Sequence, residues 1–438
     1  MNKPKEGLVP ELRFPEFSNE AEWKCEQFNK LYGIKPTNSL SRDKLNYQAG
    51  SVKNIHYGDV HKRFSTLFDL SKEIVPFVSD PESVGKIKSD SYCKVTDVVF
   101  ADASEDMHDI GKCIEIVNLD NQKLISGLHT LLARQKEGKL VKGFGGYLFK
   151  SDPLRRQIQK EAQGAKVLGI SAGRMSAIKV PYPEDEREQQ KISECLASID
   201  GLITLHSQKL DRLKDNKMGL MQQLFPADGD TKPRLRFPEF QNSSGWVKRK
   251  VSSLLKKTSN PVEVKSDEIY REIGIRSHGK GIFHKEPIQG KALGNKRVFW
   301  VEENAFVLNI VFAWELAIAN TSVDEIGMIA SHRFPMYKAF KNKVDITYIK
   351  YFFLTNKGRE LLWIASPGGA GRNKTLGKTD FENLELLIPE SIEEQKKIAN
   401  LLSSTDFLID IEEQKIDELS KHKKGLMQKL FPTMDNVI

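Results

Sequence analysis

In two long stretches of the chain, apolar residues recur at every fourth and third position in turn. In the first, Ile192, Leu196, Ile199, Ile203, His206, Leu210, Leu213, Lys217, Leu220 and Leu224 step alternately by four and three. In the second, Ile398, Leu402, Thr405, Ile409, Glu412, Ile416, Leu419, Lys423, Leu426 and Leu430 do the same. A stripe kept over more than four heptads predicts a helix whose seam must be buried on a partner helix. Neither stretch has an internal proline, and Pro226 and Pro432 close them. At 1.5 Å per residue, about forty residues make a rod of roughly 60 Å. The polar seam positions His206, Lys217, Glu412 and Lys423 are candidates for setting the register.

The two stretches are copies. Pro183 to Pro226 and Pro389 to Pro432 align without a gap, with roughly half of their positions identical. Copies so far apart are too widely spaced for a solenoid repeat and mark the duplication of a whole module. A shorter segment is duplicated too. Leu12-Arg13-Phe14-Pro15-Glu16-Phe17 returns as Leu235-Arg236-Phe237-Pro238-Glu239-Phe240, with Trp23 and Trp246 following at equal distances. Each half therefore runs hexapeptide, body, long helix.

The bodies, residues 24–181 and 247–387, resemble each other only faintly. Runs such as Cys93 to Phe100, Lys112 to Val117 and Phe306 to Phe312 are rich in Val, Ile and Phe and predict short strands. Tyr147-Leu148-Phe149 ahead of Ser151, Asp152 and Arg155 matches Tyr351-Phe352-Phe353 ahead of Thr355, Asn356 and Arg359. Both carry a helix start signal, and Pro153 suits a first turn. His129 and His332 lie at nearly equal distances before these tyrosines. Trp23 and Trp246 are expected in the cores, and Phe225 and Phe431 at the helix ends.

The expected fold is α+β. Two mixed α/β domains, 1–182 and 227–388, each include their LRFPEF segment; the spacer helices are 183–226 and 389–438, the latter with a short tail. A duplicated unit in one chain most simply forms a pseudo-two-fold, by analogy with isologous dimers. That favours an antiparallel intramolecular coiled coil of the two helices.

Composition narrows the function classes. Over 438 residues, 39% hydrophobic and 29% charged is ordinary for a globular protein, and the net charge of +8 suits a polyanion partner. Cys25, Cys93, Cys113 and Cys195 lie far apart without a CxxC, which indicates neither a disulfide framework nor a zinc site. A reducing cytoplasm is expected. The N-terminus shows no apolar signal region, and the apolar run Ala305 to Ala319 is interrupted by Asn309 and Glu315, too short and polar to span a bilayer.

Each body closes on a Glu-Gln-x-x-Ile-type segment, Glu188-Gln189-Lys191-Ile192 and Glu394-Gln395-Lys397-Ile398. Each helix ends in a GLMQxLFP motif, Gly219-Leu220-Met221-Gln222-Leu224-Phe225-Pro226 and Gly425-Leu426-Met427-Gln428-Leu430-Phe431-Pro432. In this doubled order, with an LRFPEF segment ahead of each body, the chain resembles the specificity subunits of type I restriction–modification systems over essentially its whole length. That resemblance implies a non-catalytic DNA-binding subunit. Each body would read one half of a bipartite, asymmetric double-stranded DNA target. The helices would space the readers and dock two adenine methyltransferase subunits, to which restriction–translocase subunits can be added. No cofactor is expected on this chain; S-adenosylmethionine, ATP and Mg²⁺ are expected on the partners. One turn of B-DNA is about 34 Å, within the reach of such a rod.

Enzyme motifs fail on inspection. Gly369 to Thr379 superficially suggests a P-loop, but the glycine it needs is replaced by Arg372. Asn260-Pro261 is followed by Val262, which breaks an adenine methyltransferase motif, and Phe144-Gly145-Gly146 is not FxGxG. The candidate DNA contacts are therefore basic residues of the bodies. They are Lys166 and Arg174, Arg276, His278 and Lys280 in a Gly-flanked loop, Lys296 and Arg297, and Arg372, Lys374 and Lys378. Arginine suits guanine O6/N7 and lysine suits phosphate. The competing reading is a coiled-coil scaffold whose two bodies bind proteins.

Overall fold

The computed structural model describes residues 8–368 and 374–434. Its chain forms two compact units, one of residues up to Ser207 together with those from Gln414, the other of Gln208–Glu413. The division falls inside both long helices, α1 (Glu186–Leu224) and α2 (Ile392–Lys429), so each unit owns a part of each.

The first unit is built on a five-stranded sheet. Its strands are β1 (Tyr32–Lys35), β2 (Leu67–Asp69), β3 (Val98–Ala101), β4 (Cys113–Asn118) and β5 (Thr130–Gln135), in the order β1-β5-β3-β4-β2. All neighbours are antiparallel except β4 and β2. β3 is apolar on both faces because both are covered, and all four of its residues are buried. The expected strand from Cys93 starts only at Val98. Asp97 Oδ2 accepts the Lys94 N–H, and Thr96 takes φ +74°, so the chain turns before it can pair. The second unit has a four-stranded antiparallel sheet of β6 (Leu255–Thr258), β7 (Phe306–Leu308), β8 (Ile318–Asn320) and β9 (Met336–Ala339), in the order β6-β9-β7-β8. Here the run from Phe306 leaves the strand after Leu308. Asn309 Oδ1 accepts the Val311 N–H, an Asx turn.

The helix start signals hold. Ser151 precedes the helix Asp152–Glu161 with Pro153 in its first turn. Thr355 caps Asn356–Ile364 by accepting the Gly358 N–H on its hydroxyl. A short ribbon closes each body: Lys24–Gln27 pairs with Lys179–Tyr182, and Val247–Lys250 with Glu385–Ile388. From there the chain enters a long helix.

The helix entrances are locked by the LRFPEF segments. In the first unit, Arg13 donates to Glu188 Oε1 and Oε2 at 2.8 and 2.6 Å, and Trp23 Nε1 donates to Glu188 Oε1 at 3.2 Å. In the second, Arg236 donates to Glu394 at 2.7 and 2.8 Å, and Trp246 Nε1 joins at 3.4 Å. Gln189 and Gln395 add the same pair of bonds, the former to the Val141 N–H and Pro183 carbonyl, the latter to the Asp345 N–H and Pro389 carbonyl. The first LRFPEF segment also meets the far end of the chain. Leu12 N–H donates to the Lys429 carbonyl at the end of α2, as Leu235 N–H donates to the Gln223 carbonyl at the end of α1.

The proposed seam divides by depth. Ile192, Leu196, Ile398 and Leu402 are buried in the aromatic cores of the bodies, together with the end of the opposite helix: Leu426 in the first, Leu220 in the second. The Arg–Glu lock joins the first turn of each helix to the same body. Leu430 and Phe431 join the first core; Leu224 and Phe225 join the second. Ile199 and Ile409 are buried, whereas Ile203, Leu210, Leu213, Ile416 and Leu419 are half-buried. Trp23 and Trp246 are core residues, 3% and 4% exposed.

Candidate nucleic-acid interface

Two polar triads tie body, helix and opposite helix. In the first unit, the Tyr147 hydroxyl donates to Asp200 Oδ2 at 2.8 Å, and Lys423 of α2 pairs with the other oxygen of Asp200. In the second, Tyr351 donates to Asp406 at 2.6 Å, and Lys217 of α1 pairs with Asp406. Burial first, then the aspartate, pushes both tyrosine hydroxyls well above their ordinary range, so they stay protonated donors. Lys217 and Lys423, read as seam positions from sequence, thus each bridge two helices within one unit. Glu412, 1% exposed, is met by Lys209 at 2.7 Å. In the second unit the lysine partners run antiparallel: Lys209 meets Glu412, and Lys217 meets Asp406.

The basic candidates fall into three groups. Some are engaged within the protein. Arg174 donates to the Glu161 carbonyl at 3.1 Å and its carboxylate at 3.3 Å, so its guanidinium serves the end of the preceding helix. Lys374 lies over the Trp363 ring, 3.0 Å from the centroid. Lys296 approaches Glu272 at 3.8 Å. Others stand on an exposed hairpin. Arg276 donates to the Ile282 carbonyl and stacks on Phe283 at 4.8 Å. His278 is held at φ +62° while its N–H donates to the Glu315 carbonyl, and Lys280 is exposed beside it. Lys166 is exposed in the first body. Arg372 lies outside the described residues.

The third group is a cation cluster. Lys378 is half-buried, and its ammonium is held below its ordinary range by burial first and then by Lys257 and Arg297. Among the described residues, no carboxylate pairs with Lys257, Arg297 or Lys378 within ion-pair distance. Lys257, on the edge strand β6, has no motif around it and is not singled out by the sequence. The Glu382 carboxylate is a weaker neighbour that favours the charged lysine, so three cations against one carboxylate leave the cluster net positive.

The first body carries a different feature, a groove of about 700 Å³. Asn38, Lys86, Lys88, Asp102, His129 and Thr130 are among its lining residues. His129 Nδ1 is 3.4 Å from Asp102 Oδ1, and its backbone takes φ +54°. The Tyr57 and His129 rings meet edge to face with centroids 5.5 Å apart. Asp102 is pushed up from the ordinary carboxylate range by burial, against the pull of His129. Nothing in the sequence signals Asp102, since its partner lies on another strand end.

His129 and His332 are not equivalent, contrary to the sequence spacing. Extending the β3–β5 register sets Asp102 opposite His129, and the Asp102 N–H donates to the His129 carbonyl at 3.0 Å. Extending β7–β9 sets Ile310 opposite Arg333, with the Ile310 N–H donating to the Arg333 carbonyl at 3.0 Å. The Asp102 and Ile310 carbonyls accept in turn from Ile170 and Leu376 N–H. Arg333, not His332, is the counterpart of His129.

No group of metal-ligating side chains occurs among the described residues, and no described helix is long and apolar enough to cross a membrane. A family model, the type I restriction modification DNA specificity domain, matches residues 86–215 and 244–421. The chain belongs to this family, whose role is DNA target recognition. It is 24% identical over 414 residues to the putative type I restriction enzyme MjaX specificity subunit of Methanocaldococcus jannaschii, covering 90% of this chain and 88% of that protein. The MjaVIII specificity subunit of the same organism is 24% identical over 328 residues, 69% of this chain and 72% of that protein. The fold is similar to the crystal structure of the type I restriction–modification S subunit from M. genitalium, with TM-score 0.61 and 11% identity over 98% of this chain and 100% of that one.

Proposed function

We propose that each body reads one half of a bipartite, asymmetric DNA target, and that the long helices are an antiparallel coiled-coil spacer with pseudo-two-fold symmetry that docks methyltransferase subunits. The observation that carries this reading is the contrast between frame and bodies. The Arg–Trp–Glu locks and Tyr–Asp–Lys triads occur once per unit with the same partners, whereas the sheets between them differ in strand number and chemistry. A repeated frame fits repeated partners, and unlike bodies fit unlike half-sites.

Exposed apolar side chains on the helices support the docking role. Leu202 and Leu205 are 43% and 63% exposed on α1, and Phe407 and Leu408 are 65% and 45% exposed on α2. Leu202 and Leu408 are matching positions of the repeat. Large apolar side chains left in water on a helix mark a partner surface.

The chain itself acts without catalysis in this reading. S-adenosylmethionine, ATP and Mg²⁺ belong to the partner subunits, restriction–translocase subunits join the same complex, and the assembly works in the cytoplasm. The test is a footprint of the complex on DNA at increasing salt. A footprint with two protected segments that weakens steeply with salt is expected. A complex that forms but leaves DNA unprotected at every salt concentration would favour the protein-scaffold alternative.

A further inference from the structure

The two bodies share one cross-strand pair at a strand end and fill it with different chemistry. After β3 the chain places Asp102 opposite His129; after β7 it places Ile310 opposite Arg333. The supporting backbone bonds are the same in both, so the scaffold there is common and only the side chains have changed.

Asp102 is 26% exposed on its side chain, and His129 is its one ion-pair neighbour among the described residues, at 3.4 Å. Four lone-pair directions serve a carboxylate, so acceptor capacity remains open. Lys86 and Lys88 line the same groove and are exposed. A carboxylate is repelled by phosphate. In a DNA-facing groove it is retained only where it accepts from a base amino group, cytosine N4 or adenine N6. Arg333 is exposed and has no carboxylate partner among the described residues. Arg333 stands where the first body has His129, and Ile310 stands where it has Asp102, so the second body carries no carboxylate at this strand end. With no carboxylate engaging it among the described residues, the guanidinium has its donors open, and its fork matches guanine O6 and N7.

The geometry points to Asp102, steadied by His129, and Arg333 as base-reading residues at the equivalent strand ends of the two bodies, the first accepting from an adenine or cytosine amine and the second donating to guanine. This rests on the DNA-reading role proposed above. The Tyr57 ring and the left-handed backbone of His129 hold the imidazole beside the carboxylate, which makes His129 a positioning residue.

The experiment uses the full-length chain in its own host. The gene is deleted and restored as wild type, Asp102→Asn, His129→Gln or Arg333→Gln, and methylated adenines are mapped across the genome. Wild type restores a two-part motif. Asp102→Asn is expected to relax one base position in one half by roughly 10- to 100-fold, and Arg333→Gln one position in the other half by a similar factor. His129→Gln relaxes the same half as Asp102→Asn and stands in for it should that variant not accumulate. The inference is overturned if the variants keep the wild-type motif, if either changes both halves, or if methylation falls at an unchanged motif, as a protein contact would produce. If deletion and restoration give the same methylation pattern, the DNA-reading role fails and the inference with it.

Discussion

Arg13 grips Glu188 through two N–H···O bonds of 2.8 and 2.6 Å, with side chains 8% and 1% exposed. The guanidinium also donates to the Glu20 and Ala21 carbonyls, so the LRFPEF segment, the loop after it and the first turn of α1 are joined at one point. Removing one partner of such a buried pair strands the other charge, which costs about 3–5 kcal/mol. Arg13→Ala should therefore lower the unfolding free energy of its unit by that order in denaturant titration, and Arg236→Ala should do the same for the second unit. A loss below about 1 kcal/mol, the range of surface pairs, would show that the lock is ornamental.

The triads predict matched losses. Tyr147→Phe removes a hydrogen bond to a charged group, a contribution of about 1.5–3 kcal/mol. Tyr351→Phe should cost a similar amount. A double-mutant cycle of Tyr147→Phe with Lys423→Met should show coupling through Asp200 of about 0.5–3 kcal/mol. Strict additivity would mean that the shared aspartate does not link body to helix.

Glu115 predicts a pH dependence. Burial pushes its carboxyl up to about 7, outweighing the bonds it accepts from Gly143 and Gly146 N–H at 2.6 and 2.7 Å. Gly143 reaches this carboxyl from φ +93°, a backbone that favours glycine. The native state thus prefers the protonated acid. Its stabilising contribution is complete below the ordinary carboxylate range near 4.5 and is lost as pH rises through about 7. The unfolding free energy of the first unit should fall by roughly 3 kcal/mol between those limits from this group alone. Glu115→Gln should flatten that part of the profile; an unchanged slope would contradict the assignment.

The cation cluster predicts salt behaviour without a change of sequence preference. Alanine at Lys257, Arg297 or Lys378 should weaken DNA binding by the complex uniformly across sequences. Each phosphate partner removed lowers the slope of log affinity against log salt by about one. A shift in the preferred sequence would instead make these residues base readers.

Much of the frame was legible because periodicity and duplication are one-dimensional signals. The seam pattern located α1 and α2 to within a few residues of their observed ends, Glu186–Leu224 and Ile392–Lys429. Trp23 and Trp246 were readable as core because each follows its LRFPEF segment at the same distance. The depth of the seam was not readable. Ile192 and Leu196 carry the same spacing as Leu210 and Leu213, yet the former lie in a body core. Which surface a stripe meets depends on a distant hexapeptide folding back, which no local pattern records. The candidate site was less legible still. Lys257, Asp102 and Arg333 gain their meaning from strand register across many residues, while Arg174, chosen for its charge, is engaged by Glu161.

The central claim, two independent readers on one repeated frame, is tested most directly by mapping methylated adenines in the host with and without this gene. The account predicts that deletion erases one asymmetric motif of two specific segments separated by a fixed unspecified spacer, and that restoring the full chain brings it back. An unchanged methylation map, or the loss of a single uninterrupted or palindromic motif, would contradict it.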